Sequence, residues 1–386
     1  MSSAERPLRL ALVRQRYNPF GGAERFIERA LGALVREGAE ITLITRNWNG
    51  APREGFSQHL CDPDYSRLFG GRAARDRSFA ACAQREMRSG DYDITQSHER
   101  IPGCMIFRAG DGVHAAWLDH RGRNQSPLAR YVTRLAPFHR FILAQEAAML
   151  AAPELRAVIC NSVMVREEMR RYYDVPESKL VVIENGIDLD QYHPRVADLW
   201  RAKQREALGL DPDVPVFLYV GSGFARKGVP QLIEALARCS DRHSHLVIVG
   251  EDRHATAYQR QAGRLGLGSR VIFAGPQKNV LPYYGMADAF VLPTRYDPMP
   301  NAALEALACG LPTITSTTCG IAARIRDGEN GFVGDALDID RLATHLDTLS
   351  APGQANGMRA AARAAVADLD LGHMADELLN LYRRLR

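Results

Sequence analysis

Val216-Phe217-Leu218-Tyr219-Val220-Gly221-Ser222-Gly223-Phe224-Ala225-Arg226-Lys227-Gly228 joins an unbroken apolar run to a glycine-rich loop, and Leu232, Ile233 and Leu236 then recur at helical spacing. A strand that is apolar at every position must be covered on both faces, which is the habit of parallel sheets. The pattern repeats toward the C-terminus at Leu246–Gly250, Val271–Phe273, Ala289–Pro293 and Thr313–Thr315, making five such strands separated by helices. Toward the N-terminus it begins at Leu8–Val13, passes the loop Asn18-Pro19-Phe20-Gly21-Gly22 and a helical pattern through Ile27, Leu31 and Leu34, and reaches Ile41–Ile44. Tyr92–Thr95, Cys104–Arg108, Val158–Asn161 and Val181–Glu184 continue it, with helical stretches at Phe79–Arg88 and Leu128–Leu150 between them. Asn185-Gly186-Ile187-Asp188 and Tyr192-His193-Pro194 interrupt the periodicity. The expected fold is therefore α/β, with two Rossmann-like parallel-sheet domains over residues 1–190 and 191–365 and a C-terminal helix, 366–386, packing back on the first. Open parallel sheets bind ligands beyond the carboxyl ends of their strands, so two such domains are expected to face each other across a cleft that holds the site.

Composition narrows the function. Of 386 residues, 49 are Lys or Arg and 45 Asp or Glu, a net charge of only +4, which excludes a protein that coats nucleic acid by bulk charge. The seven cysteines are scattered and contain no C-x-x-C pair, so neither a disulfide framework nor a zinc ribbon is expected. No run approaches the ~18 apolar residues of a membrane span, and Met1–Arg14 lacks a signal-peptide pattern, so a cytoplasmic protein is expected. Lysine is rare, at Lys179, Lys203, Lys227 and Lys278, which draws attention to Lys227 in its glycine loop.

The chemistry concentrates in Tyr296-Asp297-Pro298-Met299-Pro300-Asn301-Ala302-Ala303-Leu304-Glu305-Ala306-Leu307-Ala308-Cys309-Gly310-Leu311-Pro312. This segment follows a strand and opens a short Ala/Leu-rich helix stopped by Gly310. Asp297 lies in the loop, and Glu305, eight residues on, lies on the helix. Both can reach a ligand lying across the helix N-terminus, whose unpaired N–H groups and positive dipole suit a phosphate.

These motifs resemble the retaining glycosyltransferases of the GT-B fold, the family 4 type defined by an acidic-x7-Glu pattern, and look most like the bacterial lipopolysaccharide inner-core glucosyltransferases. The resemblance implies that Asp297 binds donor-sugar hydroxyls, that backbone amides of Asn301, Ala302, Ala303 and Leu304 bind sugar and diphosphate, and that Glu305 takes the ribose hydroxyls. Asp stands where Glu is commoner at the first acidic place. Gly221, Ser222 and the pair Arg226 and Lys227 are implied to meet the donor diphosphate, the two cations neutralising the leaving group. Gly21 and Gly22 are implied to approach the donor phosphate, Glu24 to bind acceptor, and the base to sit near Gly275-Pro276-Gln277. Asp111 falls where many members carry a histidine facing the reacting carbon, which marks it for catalysis and acceptor orientation. Asn161-Ser162 and Asn185–Asp188 match architectural signatures, and His98 and His114 lie after first-domain strands without a carboxylate at a telling spacing.

The implied reaction moves a hexose, glucose from UDP-glucose, to a glycan acceptor of the lipopolysaccharide core, with no cofactor beyond the nucleotide-sugar cosubstrate. The D-x-D triplet Asp188-Leu189-Asp190 belongs to the domain exit, and basic side chains with a helix terminus are read as standing in for a cation, so no metal is expected. A nucleotide-sugar 2-epimerase shares the fold, and a non-catalytic nucleotide-sugar-binding regulator is the other alternative; the retention of Lys227 and Glu305 argues against the latter. From Arg108 to Arg140 six arginines stand against Asp111 and Asp119, interleaved with Trp117, Tyr131 and Phe138, so a lipid-linked acceptor and an anionic membrane surface join the expected partners.

Overall fold

The computed structural model describes residues 6–17, 32, 35, 38–48, 55–61 and 71–386. It divides into two compact units, Met1–Gly186 with Leu371–Arg386, and Ile187–Asp370. The crossings fall at 186/187 and 370/371, where the sequence pattern put 190/191 and 365/366. The difference has a local cause: the Ile187 N–H donates to Leu369 O at 2.8 Å, which closes the second unit on itself before the chain leaves it.

In the first unit, β1 (Arg9–Val13), β2 (Glu40–Thr45), β3 (Phe56–Leu60), β4 (Ile94–Ser97), β5 (Ile106–Arg108), β6 (Ala157–Cys160) and β7 (Leu180–Val182) form one sheet in the order β3-β2-β1-β4-β5-β6-β7. Every pairing is parallel. The helices are α1 (Gly71–Ser89), α2 (His114–Gly122), α3 (Pro127–Leu135), α4 (Pro137–Leu150) and α5 (Val163–Tyr173). The single stretch expected over 128–150 is two helices, because Pro137 has no N–H to continue α3 and instead starts α4. β3 was not expected at all. Its sequence Phe-Ser-Gln-His-Leu is polar because it is the sheet's edge, with three of its five residues exposed. Cys61, just beyond β3, is disulfide-bonded to Cys82 of α1, a single bridge where the scattered cysteines gave no disulfide framework.

In the second unit, β8 (Val216–Val220), β9 (His245–Val249), β10 (Val271–Gly275), β11 (Ala289–Leu292), β12 (Thr313–Ser316) and β13 (Gly331–Gly334) run in the order β10-β9-β8-β11-β12-β13, all parallel. Six strands replace the five expected, since Gly331-Phe332-Val333-Gly334 is too short and glycine-rich to read as a strand. Helices α6 (Val196–Ala207), α7 (Val229–Arg238), α8 (Ala255–Arg264), α9 (Leu281–Met286), α10 (Asn301–Ala308), α11 (Ile339–Ser350) and α12 (Arg359–Ala364) accompany the sheet. A contiguous core from Val216 through Phe290 and Leu307 to Leu346 is fully buried. The last helix, α13 (Leu371–Leu385), belongs to the first unit. It packs Met374, Leu378, Leu381 and Tyr382 into a cluster with Leu10, Leu12, Ile94, Ile106 and Ile159.

Candidate active site

The strand order of the second unit reverses between β8 and β11, so the loops leaving their carboxyl ends diverge and open a crevice. The loop after β8 carries Arg226 and Lys227. Its geometry needs glycine: Gly223 and Gly228 have φ of 76° and 82°, and a Cβ on Gly228 would lie 2.0 Å from Pro293 O in the loop after β11. That close approach seats the helix end of the β8 loop on the start of the loop after β11, below the crevice. Arg226 O accepts from Arg295 N–H at 2.9 Å, and Phe224 N–H donates to Asp252 Oδ2 at 2.8 Å.

Asp297 sits at the meeting point. Its carboxylate Oδ2 lies 3.0 Å from Lys227 Nζ and 3.5 Å from Arg226 Nη1, while Arg226 Nη1 also donates to Tyr296 O at 2.7 Å. The Asp297 side chain is 10% exposed and that of Lys227 14%, so the pair is poorly screened, whereas Arg226 at 42% reaches solvent. Asp297 is held at its main chain by Thr318 O (3.1 Å) and by the Gly320 N–H (2.9 Å). Thr294 O, behind the loop, accepts from both Ser316 Oγ and Thr318 Oγ1. The sequence separated these roles, assigning Asp297 to sugar hydroxyls and the cations to diphosphate; the fold joins all three in one cluster.

On α10, Glu305 Oε2 accepts from the Tyr284 hydroxyl at 2.8 Å, and the same hydroxyl is 3.2 Å from Ala302 O. Tyr284 is fully buried, and burial first, then the Glu305 charge, pushes its phenol well above the ordinary range, so it stays a donor. Among the first-turn amides expected to face phosphate, those of Ala303 and Leu304 donate to Pro300 O at 3.0 and 3.3 Å, as the helix's own turn requires. Gln277, beyond the edge strand β10, is exposed and donates to Ala274 O at 2.7 Å. Gly221 (φ 155°) and Ser222 begin the loop after β8, and a Cβ on Gly221 would lie 3.3 Å from Lys227 Nζ. Glycine there leaves room for the lysine. Tyr284, Asp252 and Tyr219 went unread in the sequence because each looks like a core or surface residue until the fold sets it beside a loop. The Tyr219 hydroxyl is buried without a hydrogen-bond partner, 3.4 Å from where a Gly221 Cβ would lie. A cavity of about 480 Å³ lined by Arg201, Asp288, Arg359 and Pro215 lies at the opposite, amino ends of these strands.

In the first unit, Asp111 is exposed in the loop after β5. That loop is anchored by Glu146, a fully buried carboxylate that accepts from Arg100 Nε (2.7 Å), the His114 N–H (3.0 Å) and the Tyr173 hydroxyl (2.7 Å). Nothing in the sequence singled out Glu146 within an apolar helix. His114 stacks on Trp117 and lies 3.2 Å from His139 through its Nε2, and burial, aided by Arg100, lowers its pKa to about 4. His98 is buried, its Nε2 3.0 Å from Gln96 Nε2, which places it under the strand end. Burial, with Arg14 and Arg108 nearby, holds it well below its usual pKa. Asn161 Nδ2 donates to Gly110 O and Arg108 Nη2 to Asn185 Oδ1, so both asparagines brace loops. Gly21, Gly22 and Glu24 lie outside the described residues.

A doubly wound nucleotide-fold domain with paired cations at its switch point, following a second parallel-sheet unit, defines a class. The chain belongs to the GT-B glycosyltransferases of group 1 and family 4 and is thus a transferase. Residues 201–364 match the family described as glycosyl transferases group 1, and residues 20–191 the one described as glycosyltransferase family 4. The chain is 26% identical to the lipopolysaccharide glucosyltransferase WaaG of Escherichia coli K12 over 84% of both chains. It is 26% identical to a D-inositol 3-phosphate glycosyltransferase of Rhodococcus jostii over 98% of this chain and 89% of that one. An uncharacterized glycosyltransferase of Methanocaldococcus jannaschii is 30% identical over 88% of each. The crystal structure of WaaG superposes with a TM-score of 0.81 at 22% identity, covering 97% of this chain and 99% of that one. Anabaena HepE in complex with UDP and glucose gives 0.68 at 18% identity, covering 98% and 100%.

Proposed function

We propose that this enzyme transfers a hexose, glucose carried by UDP, to a glycan acceptor of the lipopolysaccharide-core class, retaining the anomeric configuration and using no metal. The observation that carries the reading is the Arg226–Lys227–Asp297 cluster. When the acceptor oxygen bonds to the anomeric carbon and the carbon–oxygen bond to the diphosphate breaks, negative charge grows on the departing UDP. Lys227 and Arg226 are the charges aimed at it, in a crevice where such pairing acts on the transition state more than on the ground state. Asp297 keeps the two cations in place in the free enzyme and is next to the sugar in this reading. Glu305, oriented by Tyr284, takes the ribose hydroxyls, Gln277 binds toward the base, and Asp111 and Glu24 are assigned to the acceptor. A lysine–arginine pair in the leaving-group position stands in for a divalent cation. The glucose, UDP and lipopolysaccharide assignments draw on the lipopolysaccharide glucosyltransferase named above and on the motif likeness.

We further read the enzyme as cytoplasmic and peripheral at an anionic membrane surface, where a lipid-linked acceptor would be met. The support is α3, which has no buried residue and exposes Leu128, Tyr131, Val132 and Leu135. No described helix is long and apolar enough to cross a membrane.

A panel of UDP-glucose, UDP-galactose, ADP-glucose and GDP-mannose, with free nucleoside diphosphate as readout, tests the donor. UDP released from UDP-glucose in the presence of EDTA, with an α-linked product by NMR, is the expected result. Preference for GDP-mannose, dependence on manganese, or an inverted product each overturns its part of the proposal, and a sugar nucleotide returned epimerised at C2 points to the epimerase.

A further inference from the structure

We propose that His59, Cys61 and Cys82 form a redox-gated site for a thiophilic divalent cation, zinc being the ion their chemistry fits. Their ligand atoms lie within 4.8 Å of one another. The placement follows from the fold: His59 and Cys61, two residues apart at the end of edge strand β3, share a face, and Cys82 of α1 packs against it. Glu86, one turn beyond Cys82, brings its Oε2 to 3.4 Å from His59 Nδ1, and its other oxygen accepts from the Tyr92 hydroxyl at 2.7 Å. A carboxylate on the imidazole of a ligating histidine is the usual device that fixes ring orientation and strengthens the ligand. Two sulfurs and an imidazole select zinc over magnesium or calcium, which take oxygen ligands.

The structure shows the oxidised state, with Cys61 and Cys82 joined. Their Cα atoms are 5.8 Å apart, a separation that also lets two thiolates share one metal at about 2.3 Å from each sulfur. A dithiol reductant supplies two electrons and two protons, becoming a disulfide itself, and leaves two thiols here. Zinc then forms two zinc–sulfur bonds and one bond to His59, displacing both thiol protons to solvent, with water in the fourth position. Disulfide and metal are thus alternative ways of tying the edge strand to α1, chosen by the redox state of the compartment. None of these residues belongs to the second unit that carries the proposed donor site, so the inference stands apart from the choice of donor.

The test uses the full chain, reduced and then freed of reductant, titrated with Zn²⁺ against a chromophoric chelator and with Co²⁺ as a spectroscopic probe. The reduced protein is expected to bind one zinc and to show thiolate-to-cobalt charge transfer. Oxidation with diamide is expected to release the metal and to lower the thiols counted under denaturant from seven to five. The Cys61→Ser/Cys82→Ser double variant should bind none, which controls for the five other cysteines. His59→Ala, which keeps both thiols, should weaken zinc at least ~10-fold. Substoichiometric zinc in the reduced wild type, equal binding by the double variant, or metal retained after oxidation overturns the proposal.

Discussion

At the scale of single residues, the donor-site proposal stands or falls on two side chains. Lys227→Ala and Arg226→Ala should each lower turnover by ~10²-fold or more, because a cation aimed at the leaving diphosphate contributes chiefly in the transition state. Lys227 is the more buried of the two and the closer to Asp297, so its loss should be the larger. Thermal unfolding should move little in either variant, and wild-type turnover in both folded variants would sink the assignment. A second expectation concerns pH. His114 has its pKa lowered from 6.5 to about 4, chiefly by burial, so between those values the unfolded chain binds a proton that the folded one refuses. Stability from this group is therefore complete above about pH 6.5 and is lost as pH falls toward 4. Replacing it, as in His114→Phe, should flatten the fall in unfolding temperature over that window. An unchanged slope would show that the ring protonates as freely in the folded protein. His98 and His139 are also lowered by burial, so the slope is reduced and not abolished.

At the scale of elements, α3 is the anomaly. It has no buried residue, and Leu128, Tyr131, Val132 and Leu135 are 72, 62, 59 and 46% exposed. Arg130 and Arg134 share the helix, and Arg121 lies over the Trp117 ring at 5.2 Å. An amphipathic helix with an uncovered apolar face and arginines beside it has the composition of an interfacial helix. The structure revises the basic segment in two respects: Arg108 is buried, so five of its six arginines remain for a surface, and one of these, Arg134, is paired with Asp119. Sedimentation with anionic vesicles should pellet the wild type at low salt, while Arg121/Arg123/Arg130/Arg134→Gln and Leu128/Val132→Ser variants stay in solution. A wild type that remains in the supernatant, or variants that pellet equally, make α3 ordinary surface.

At the scale of the whole molecule, the chain returns at its end to the unit in which it began. Six residues of α13, Met374, Ala375, Leu378, Leu379, Leu381 and Tyr382, are buried against the first unit's strands, and the Tyr382 hydroxyl donates to Gln96 Oε1 at 2.7 Å. Burying a large apolar side chain stabilises by about 1.5–3 kcal/mol. The sum is comparable to the entire stability of a domain, about 5–15 kcal/mol. A chain ending at Asp370 should therefore lose the first unit's thermal transition and aggregate on size exclusion while the second unit's transition persists. A soluble monomer with both transitions intact would contradict that account of α13.

How much of this was legible follows from where each signal resides. Apolar runs such as Val216–Val220 and Leu246–Val249 declare a parallel sheet by themselves, since a strand buried on both faces must be apolar throughout. The loop glycines and the acidic-x7-Glu spacing are likewise local, because close backbone approach and a helix start are properties of a few consecutive residues. Polar edge strand β3 and glycine-flanked β13 were illegible for the converse reason: only their sheet neighbours make them strands. So were the partners. Lys227 with Asp297, Tyr284 with Glu305, Glu146 with the His114 loop and Cys61 with Cys82 join residues from 21 to 70 positions apart. The sequence alone determined the apolar, doubly covered strands and which loops could carry chemistry, through short-range sterics and hydrophobic period. Only the tertiary structure decided which side chains meet, because pairing depends on strand order, and the reversal between β8 and β11 that sets Asp297 against two cations is a property of topology.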